Sequence, residues 1–347
     1  MEYRALGASD LRISPLCLGS MMWGSQNSAH EAFAQLDYAV GRGINFIDTA
    51  ECYAIPPRAE TQGSTETLLG DWLARHGGRE RLIIASKVTG RSDFTWIRGG
   101  QTRLHRQQIE AAIDASLQRL RTDYIDLYQV HWPDRPLTLF AGASPEYRHQ
   151  AAADVVPIEE TLAVLGDLVR AGKVRQLGIS NETPWGLHRY LSAADRLGLP
   201  RVVSVQNAYN LLNRCYENGL SEFWYQEQIG LLAYSPLGQG QLSGKYLQSR
   251  RPPESRKVLF DRFGRYETPM ADAATEAYVS LAREHGLDPV QMALAFVQSR
   301  EFVNATIIGA SSLAQLETAI DSAQLALSDA LLEGIEAIHR RYTNPCP

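Results

Sequence analysis

The sequence predicts a (β/α)8 barrel, an α/β fold of eight parallel strands and their crossover helices. Strand-length apolar runs alternate with helix-length amphipathic segments about eight times, which favours parallel strands. The 347 residues exceed the roughly 250 of a typical barrel, so extra segments are expected. A doubly wound sheet usually has a GxGxxG turn after its first strand, whereas residues 18–24 contain two glycines without that spacing.

The predicted strands are short apolar runs bounded by polar or turn-forming residues. Their carboxyl ends are expected to meet at one rim of the barrel. In chain order they are Leu16–Gly19, Asn45–Asp48, Leu82–Lys87, Ile125–His131, Val174–Ser180, Val202–Asn207, Gly230–Tyr234 and Asn304–Ile308.

The predicted helices have apolar residues at three- and four-residue spacing. In 106–120, for example, Ile109, Ala112, Ile113 and Leu120 share one face. The helix candidates are 29–41, 65–77, 106–120, 158–171, 184–197, 273–285 and 312–323.

The surplus residues are expected in five places around one domain that spans 1–347. An N-terminal β-hairpin is predicted over Tyr3–Ile13, with a turn at 7–10. An extra C-terminal helix is predicted in 328–347, capped by Ser328. The long loops that follow strands are predicted at 89–105, 133–156 and 236–270.

The composition is typical of a soluble globular protein, with 44% hydrophobic and 21% charged residues. The net charge of -5 gives no support for a nucleic-acid or anionic-membrane partner. No apolar stretch has membrane-spanning length, and the N-terminus lacks the apolar run of a signal peptide. Four separated cysteines, Cys17, Cys52, Cys215 and Cys346, fit free thiols in a reducing cytoplasm.

Three successive predicted strands end in ionisable residues, namely Asp48, Lys87 and His131. Tyr53 follows in the loop after the first of these strands. Each residue alone has a commoner structural explanation, but the four together at one rim favour catalysis. A nearby ammonium is expected to lower the pKa of Tyr53 and make it a usable proton donor, with Asp48 holding Lys87. His131 could align a carbonyl oxygen, so the group suits reduction of a C=O bond.

The chain also resembles the aldo-keto reductase family from about residue 3 to residue 340. The segments that match the signatures of the family are 46–53, 116–120, 123–128 with His131, and 172–181. Within the family, 55–63 and 129–133 are similar to the bacterial Tas-type reductases. The resemblance implies Tyr53 as general acid, with Lys87 and Asp48 tuning it. It also implies that His131 orients the substrate.

The resemblance further implies NADP(H) as cofactor, extended across the rim without a Rossmann fold. The implied cofactor-binding residues are Gly19, Trp23, Asp48, Ser180, Asn181, Gln206, Tyr234, Ser235, Pro236, Leu237, Gly238, Gly240, Leu242, Gly244, Lys245, Arg256, Ile308, Gly309, Ser311 and Gln315. The implied substrate pocket consists of Trp23, Tyr53, His131 and Trp132. Thr318 and Ala319 stand where the family commonly has the Glu and Asn that reach adenine, and Glu317 lies one position earlier.

The predicted function is NADPH-dependent reduction of an aldehyde or ketone to an alcohol. An alternative is a nucleotide-binding regulatory module similar to a potassium-channel β subunit, since fold does not fix function. A metal-dependent hydrolase would need two or three histidines with carboxylates at strand ends, and only His131 qualifies, so no metal is predicted. The expected partner is a small carbonyl compound in an aromatic pocket, with Phe94 and Trp96 as further candidates. Related reductases occur as monomers and as larger assemblies, which leaves a homo-oligomer open.

Overall fold

The computed structural model describes residues 1–138, 149–260 and 264–346. Eight parallel strands form a closed barrel in which each strand pairs with its neighbours in chain order and the last pairs with the first, which confirms the predicted fold. All eight were predicted within one residue at each end. The barrel strands are β3 (Leu16–Gly19), β4 (Phe46–Asp48), β5 (Ile83–Val88), β6 (Ile125–Val130), β7 (Val174–Ser180), β8 (Val202–Ala208), β9 (Gly230–Tyr234) and β10 (Val303–Ile308).

The helices surround the barrel and bury their apolar faces against it. The seven that were predicted end within two residues of the expected positions, except that the segment 273–285 begins earlier, at Pro269. The described helices are α1 (Ala29–Gly41), α2 (Ser64–His76), α3 (Arg106–Leu120), α4 (Ile158–Arg170), α5 (Pro184–Leu197), α6 (Cys215–Gly219), α7 (Glu222–Glu227), α8 (Arg256–Phe260), α9 (Pro269–Glu284), α10 (Pro289–Gln298), α11 (Leu313–Asp321) and α12 (Asp329–Arg341).

The prediction missed α10, which follows α9 after a short turn. Gly286, at φ 68°, ends the first helix, and the Asp288 side chain caps the second by accepting from the backbone N–H groups of Val290 and Gln291. Residues 292–297 are all buried, so this helix has no polar face that would produce an amphipathic pattern. The prediction of a loop over 236–270 also missed α8.

The N-terminal hairpin closes the amino end of the barrel. Its strands are β1 (Arg4–Ala5) and β2 (Arg12–Ile13), which pair antiparallel as predicted. Leu6, Leu11 and Ile13 are buried and join the apolar cluster inside the barrel. The hairpin therefore shields the lower core from water and leaves the carboxyl end of the strands for a site.

Side chains alternate along each barrel strand, and this alternation places polar groups above an apolar floor. The inward-facing cluster includes Phe46 on β4, Ala85 on β5 and Leu127 on β6. Two residues further along the same strands come Asp48, Lys87 and Gln129. The upper layer of the barrel interior is therefore ionisable and polar, while the layer beneath it is hydrocarbon.

The C-terminal helix α12 confirms the predicted extra helix and begins at its Ser328 cap, whose hydroxyl accepts from the Leu331 N–H. Two of the predicted long loops fall partly outside the described residues, at 139–148 and 261–263, and Pro347 of the predicted tail lies outside them as well. Within the described ranges, no helix is both long and apolar enough to cross a membrane.

Candidate active site

Four predicted residues lie together where β4, β5 and β6 end. Lys87 Nζ donates to Asp48 Oδ2 at 2.6 Å and to the Thr49 carbonyl at 2.8 Å. It also lies 3.4 Å from Tyr53 Oη. Lys87 is completely buried, so these hydrogen-bond partners must replace the water that its ammonium has lost.

Asp48 is held from a second side by two amides. Its Oδ1 accepts from Gln206 Nε2 at 2.8 Å and from Gln129 Nε2 at 3.4 Å. Gln129 was not predicted as a site residue, although a polar side chain two positions before His131 on a buried strand must face the same way. That period-2 relation is the sequence signal that could have identified it.

The environment of Tyr53 corrects one expectation. Burial, followed by the nearby Asp48 carboxylate, raises the pKa of Tyr53 well above 10.0, whereas the sequence predicts that Lys87 lowers it. The ammonium is closer to Asp48 than to the phenol, so the ion pair neutralises much of its field. Tyr53 is therefore a protonated phenol at neutral pH, able to donate a proton.

His131 is a neutral imidazole in this site. Burial and the charge of Lys87 lower its pKa well below 6.5. Its Nδ1 lies 3.5 Å from Cys52 Sγ, and its backbone carbonyl accepts from Asn181 Nδ2 at 2.9 Å. The ring packs edge-on against Tyr53 with centroids 5.5 Å apart, so both rings face one space.

A cavity of about 1360 Å³ opens above these groups and runs across the rim. Four of the predicted residues do not line it. Lys87 lies beneath Tyr53, Leu242 is in the hydrophobic core, and Gly238 and Gly244 pack against neighbouring side chains. The predicted residues that do line it are Gly19, Trp23, Asp48, Tyr53, His131, Trp132, Ser180, Asn181, Gln206, Tyr234, Ser235, Pro236, Leu237, Gly240, Lys245, Arg256, Ile308, Gly309, Ser311 and Gln315.

Four of the predicted cofactor-binding residues form one hydrogen-bonded group beside Asp48, Tyr53, Lys87 and His131. Ser180 Oγ donates to the Gln206 carbonyl at 2.7 Å, and Tyr234 Oη donates to Asn181 Oδ1 at 2.7 Å. Asn181 adopts a left-handed backbone with φ 53°, which turns its amide toward the His131 carbonyl. These contacts fix the positions of polar groups on the cavity wall.

Further along the cavity, two cations have no carboxylate partner among the described residues. They are Lys245 and Arg256, both half-buried. Burial lowers the pKa of Lys245, and the charges of Arg256 and Lys257 lower it further. Left-handed backbone at Gly238, Gln239 and Gly240 forms the turn beside Lys245. This end of the cavity is therefore suited to an anion.

Thr318 and Ala319 line the far end of the cavity, whereas Glu317 is exposed and does not line it. Gln26 and Gln239 line the cavity, and the buried Oε1 atom of each has no hydrogen-bond partner within the described chain. They were not predicted and are available to ligand hydroxyl or amino groups. Among described residues, no cluster of three or more His, Cys, Asp and Glu could hold a metal ion.

The sequence profile of the Aldo/keto reductase family matches residues 15–340. The chain belongs to this family. The barrel, the position of the cavity and the residue types at its base agree with that assignment, and the family membership identifies the chain as an oxidoreductase.

Relatives in the aldo/keto reductase family extend over nearly the whole chain. The chain is 52% identical to Protein tas of Escherichia coli (strain K12), with 100% of both proteins covered. It is 30% identical to L-glyceraldehyde 3-phosphate reductase of Escherichia coli O157:H7, over 91% of this chain and 86% of that protein. It is 29% identical to norsolorinic acid reductase B of Dothistroma septosporum, over 98% of this chain and 82% of that protein.

Proposed function

We propose that this chain reduces an aldehyde or ketone to an alcohol with NADPH, and that Tyr53 is the general acid. The observation that carries the proposal is the buried Asp48–Lys87–Tyr53 chain at the base of the cavity. Two relatives are named as reductases of different compounds, which supports reduction without fixing the substrate.

The proposed roles follow from the contacts at the base of the cavity. When bound, the nicotinamide cofactor supplies a hydride to the carbonyl carbon. Tyr53 gives its proton to the carbonyl oxygen as negative charge develops there, and the product is the alcohol. The tyrosinate that remains is stabilised by the Lys87 ammonium 3.4 Å away, until water reprotonates it. His131, neutral and facing the same space, orients the carbonyl oxygen.

The cavity fits a phosphorylated dinucleotide. Lys245 and Arg256 offer two cations without carboxylate partners in the described chain, and the turn at 238–240 lies beside Lys245. Gln26 Oε1 and Gln239 Oε1 supply acceptors for ribose or adenine groups. Ser180, Asn181, Gln206 and Tyr234 are the proposed contacts of the nicotinamide end, and Ile308, Gly309, Ser311 and Gln315 those of the adenine end.

NADPH oxidation, followed at saturating cofactor over a panel of aldehydes, ketones and quinones, tests the proposed function. We expect turnover with at least one class of carbonyl compound and weaker activity with NADH. Absence of oxidation with every member of the panel, in a protein shown to be folded, would contradict the proposal. We also propose one domain over residues 1–347 and a cytoplasmic location, which the free cysteines favour.

Turnover of the reduction is expected to be independent of pH between pH 6.5 and pH 10.0. The pKa of Tyr53 is raised well above 10.0, so the phenol keeps its proton throughout this interval. The pKa of His131 is lowered well below 6.5, so the imidazole stays neutral. The measurement is kcat at saturating substrate and cofactor across this range. A fall centred between pH 7 and 9 would contradict these assignments.

Replacement of Arg256 by Ala is expected to weaken NADPH binding by roughly tenfold to a hundredfold and to leave NADH binding unchanged. A hydrogen bond to a charged group contributes about 1.5–3 kcal/mol, and NADH lacks the 2′-phosphate. The measurement is the Kd of each cofactor by fluorescence titration. Arg251→Ala, an exposed arginine outside the cavity, is the matched control. Equal loss of both cofactors would contradict a role at the 2′-phosphate.

A further inference from the structure

One end of the cavity has an aromatic wall that the proposed mechanism does not use. Phe94, from the loop after β5, lines the cavity and stacks on Trp96 with ring centroids 5.0 Å apart. Trp132, from the loop after β6, meets Phe94 edge-on at 6.4 Å and lies 4.7 Å from His131. A continuous series of rings therefore leads from His131 outward to Trp96, of which 36% is exposed.

Apolar side chains from two other loops complete this end of the cavity. Met21, after β3, and Ile55, after β4, both line the cavity. They pack with Tyr53, Phe94 and Trp132 in one hydrophobic cluster. The space beside the candidate acid is thus bordered by hydrocarbon and aromatic faces from four successive loops.

Three arginines that line this end of the cavity are paired with carboxylates. Arg91 pairs with Asp154 at 2.5 Å, and Arg103 pairs with Asp154 at 2.9 Å. A third arginine, Arg135, donates to Glu182 Oε2 at 3.0 Å. An anionic substrate would have to displace one of these carboxylates.

A further carboxylate, Asp93, lines the same end and disfavours anions. At the other end of the cavity, by contrast, Lys245 and Arg256 have no carboxylate partner in the described ranges. The cavity therefore has one end with two cations that lack carboxylate partners in the described chain, and an aromatic end whose arginines are paired with carboxylates.

We propose that the substrates of this chain are flat, uncharged aromatic aldehydes and ketones, which stack on Phe94 and Trp132 while the carbonyl oxygen reaches Tyr53 and His131. This inference rests on the proposed function for the reduction step, and on the pocket alone for binding. An aromatic ring placed against Phe94 gains about 0.5–1.5 kcal/mol beyond the burial of its apolar area. An aliphatic aldehyde gains only the free energy of burying its apolar area.

The test compares 2-naphthaldehyde with butanal in wild-type, Phe94→Ala, Phe94→Leu and Phe94→Trp proteins. For both Phe94→Ala and Phe94→Leu, we expect KM for 2-naphthaldehyde to rise about threefold to tenfold, since 1.4 kcal/mol corresponds to a factor of ten. We expect KM for butanal to change less than about twofold. Phe94→Trp should restore the wild-type value because it retains a ring. Tyr225→Ala, which removes an exposed ring outside the cavity, is the control.

Binding without turnover separates this inference from the proposed function. Naphthalene-2-carboxamide, which is uncharged and not reducible in this reaction, is titrated by calorimetry into wild-type and Phe94→Leu proteins. Saturable binding that weakens in the variant supports the pocket even if no carbonyl compound is reduced. Equal KM changes for naphthaldehyde and butanal, or a lower KM for glyceraldehyde 3-phosphate than for 2-naphthaldehyde in the wild type, would overturn the inference while the reductase proposal stands. Thermal unfolding of each variant confirms that it is folded.

Discussion

Tyr53→Phe is expected to lower the turnover of carbonyl reduction by at least about a hundredfold, the lower end of the effect of a general acid. The substitution removes one oxygen from a buried ring and keeps the ring contact with His131. Lys87 Nζ loses a neighbour 3.4 Å away but keeps its shorter contacts with Asp48 and the Thr49 carbonyl. The cavity therefore retains its shape and lacks only the proton donor.

The measurement is kcat in single-turnover and steady-state assays, together with the Kd for NADPH. We expect the Kd to stay within about twofold of wild type, because none of the unpaired cations or orphan acceptors is altered. Tyr225→Phe, which removes the hydroxyl of an exposed tyrosine that contacts Glu301, serves as the matched control. Carbonyl reduction by Tyr53→Phe at a near-normal rate would rule out Tyr53 as the acid.

The convergence of Asp48, Lys87 and His131 was predictable because parallel strands deliver their carboxyl ends to one rim. Strand ends are a one-dimensional property of the sequence, and the apolar runs located them within one residue. Gln129 follows the same geometry, but it was not predicted as a site residue because glutamine carries no charge. Its hydrogen bond to Asp48 depends on the strand order, in which β5 lies between β4 and β6.

The direction of the Tyr53 pKa was not predictable, because it depends on how deeply the phenol is buried and how tightly Asp48 neutralises Lys87. Both are three-dimensional quantities. The pairing of Arg91 and Arg103 with Asp154 is hidden for a similar reason, since more than 50 residues of chain separate the partners. Helix α10 was missed because its residues are buried all round, which removes the periodic signal.

The second large effect concerns the stability of the buried ion pair. Lys87→Met is expected to lower the free energy of unfolding by about 3–5 kcal/mol, the usual result of removing one partner from a buried pair. The Asp48 carboxylate would remain buried with only the amides of Gln206 and Gln129 as donors. Asp48→Asn is expected to have an effect of similar size, because it leaves the ammonium without its counter-charge. The shift of the urea midpoint measures the loss of stability in each of the two variants.

The double variant Asp48→Asn, Lys87→Met distinguishes a stabilising role of the pair from a catalytic one. Without either charge there is no uncompensated ion in the barrel interior, so the urea midpoint is expected to recover most of what each single variant loses. Reductase activity is not expected to recover, because the ammonium that stabilises the tyrosinate is absent. Recovery of both the urea midpoint and the reductase activity would mean that Lys87 contributes to activity only by keeping the barrel folded. Recovery of stability alone would assign it the electrostatic role that its position between Asp48 and Tyr53 supports.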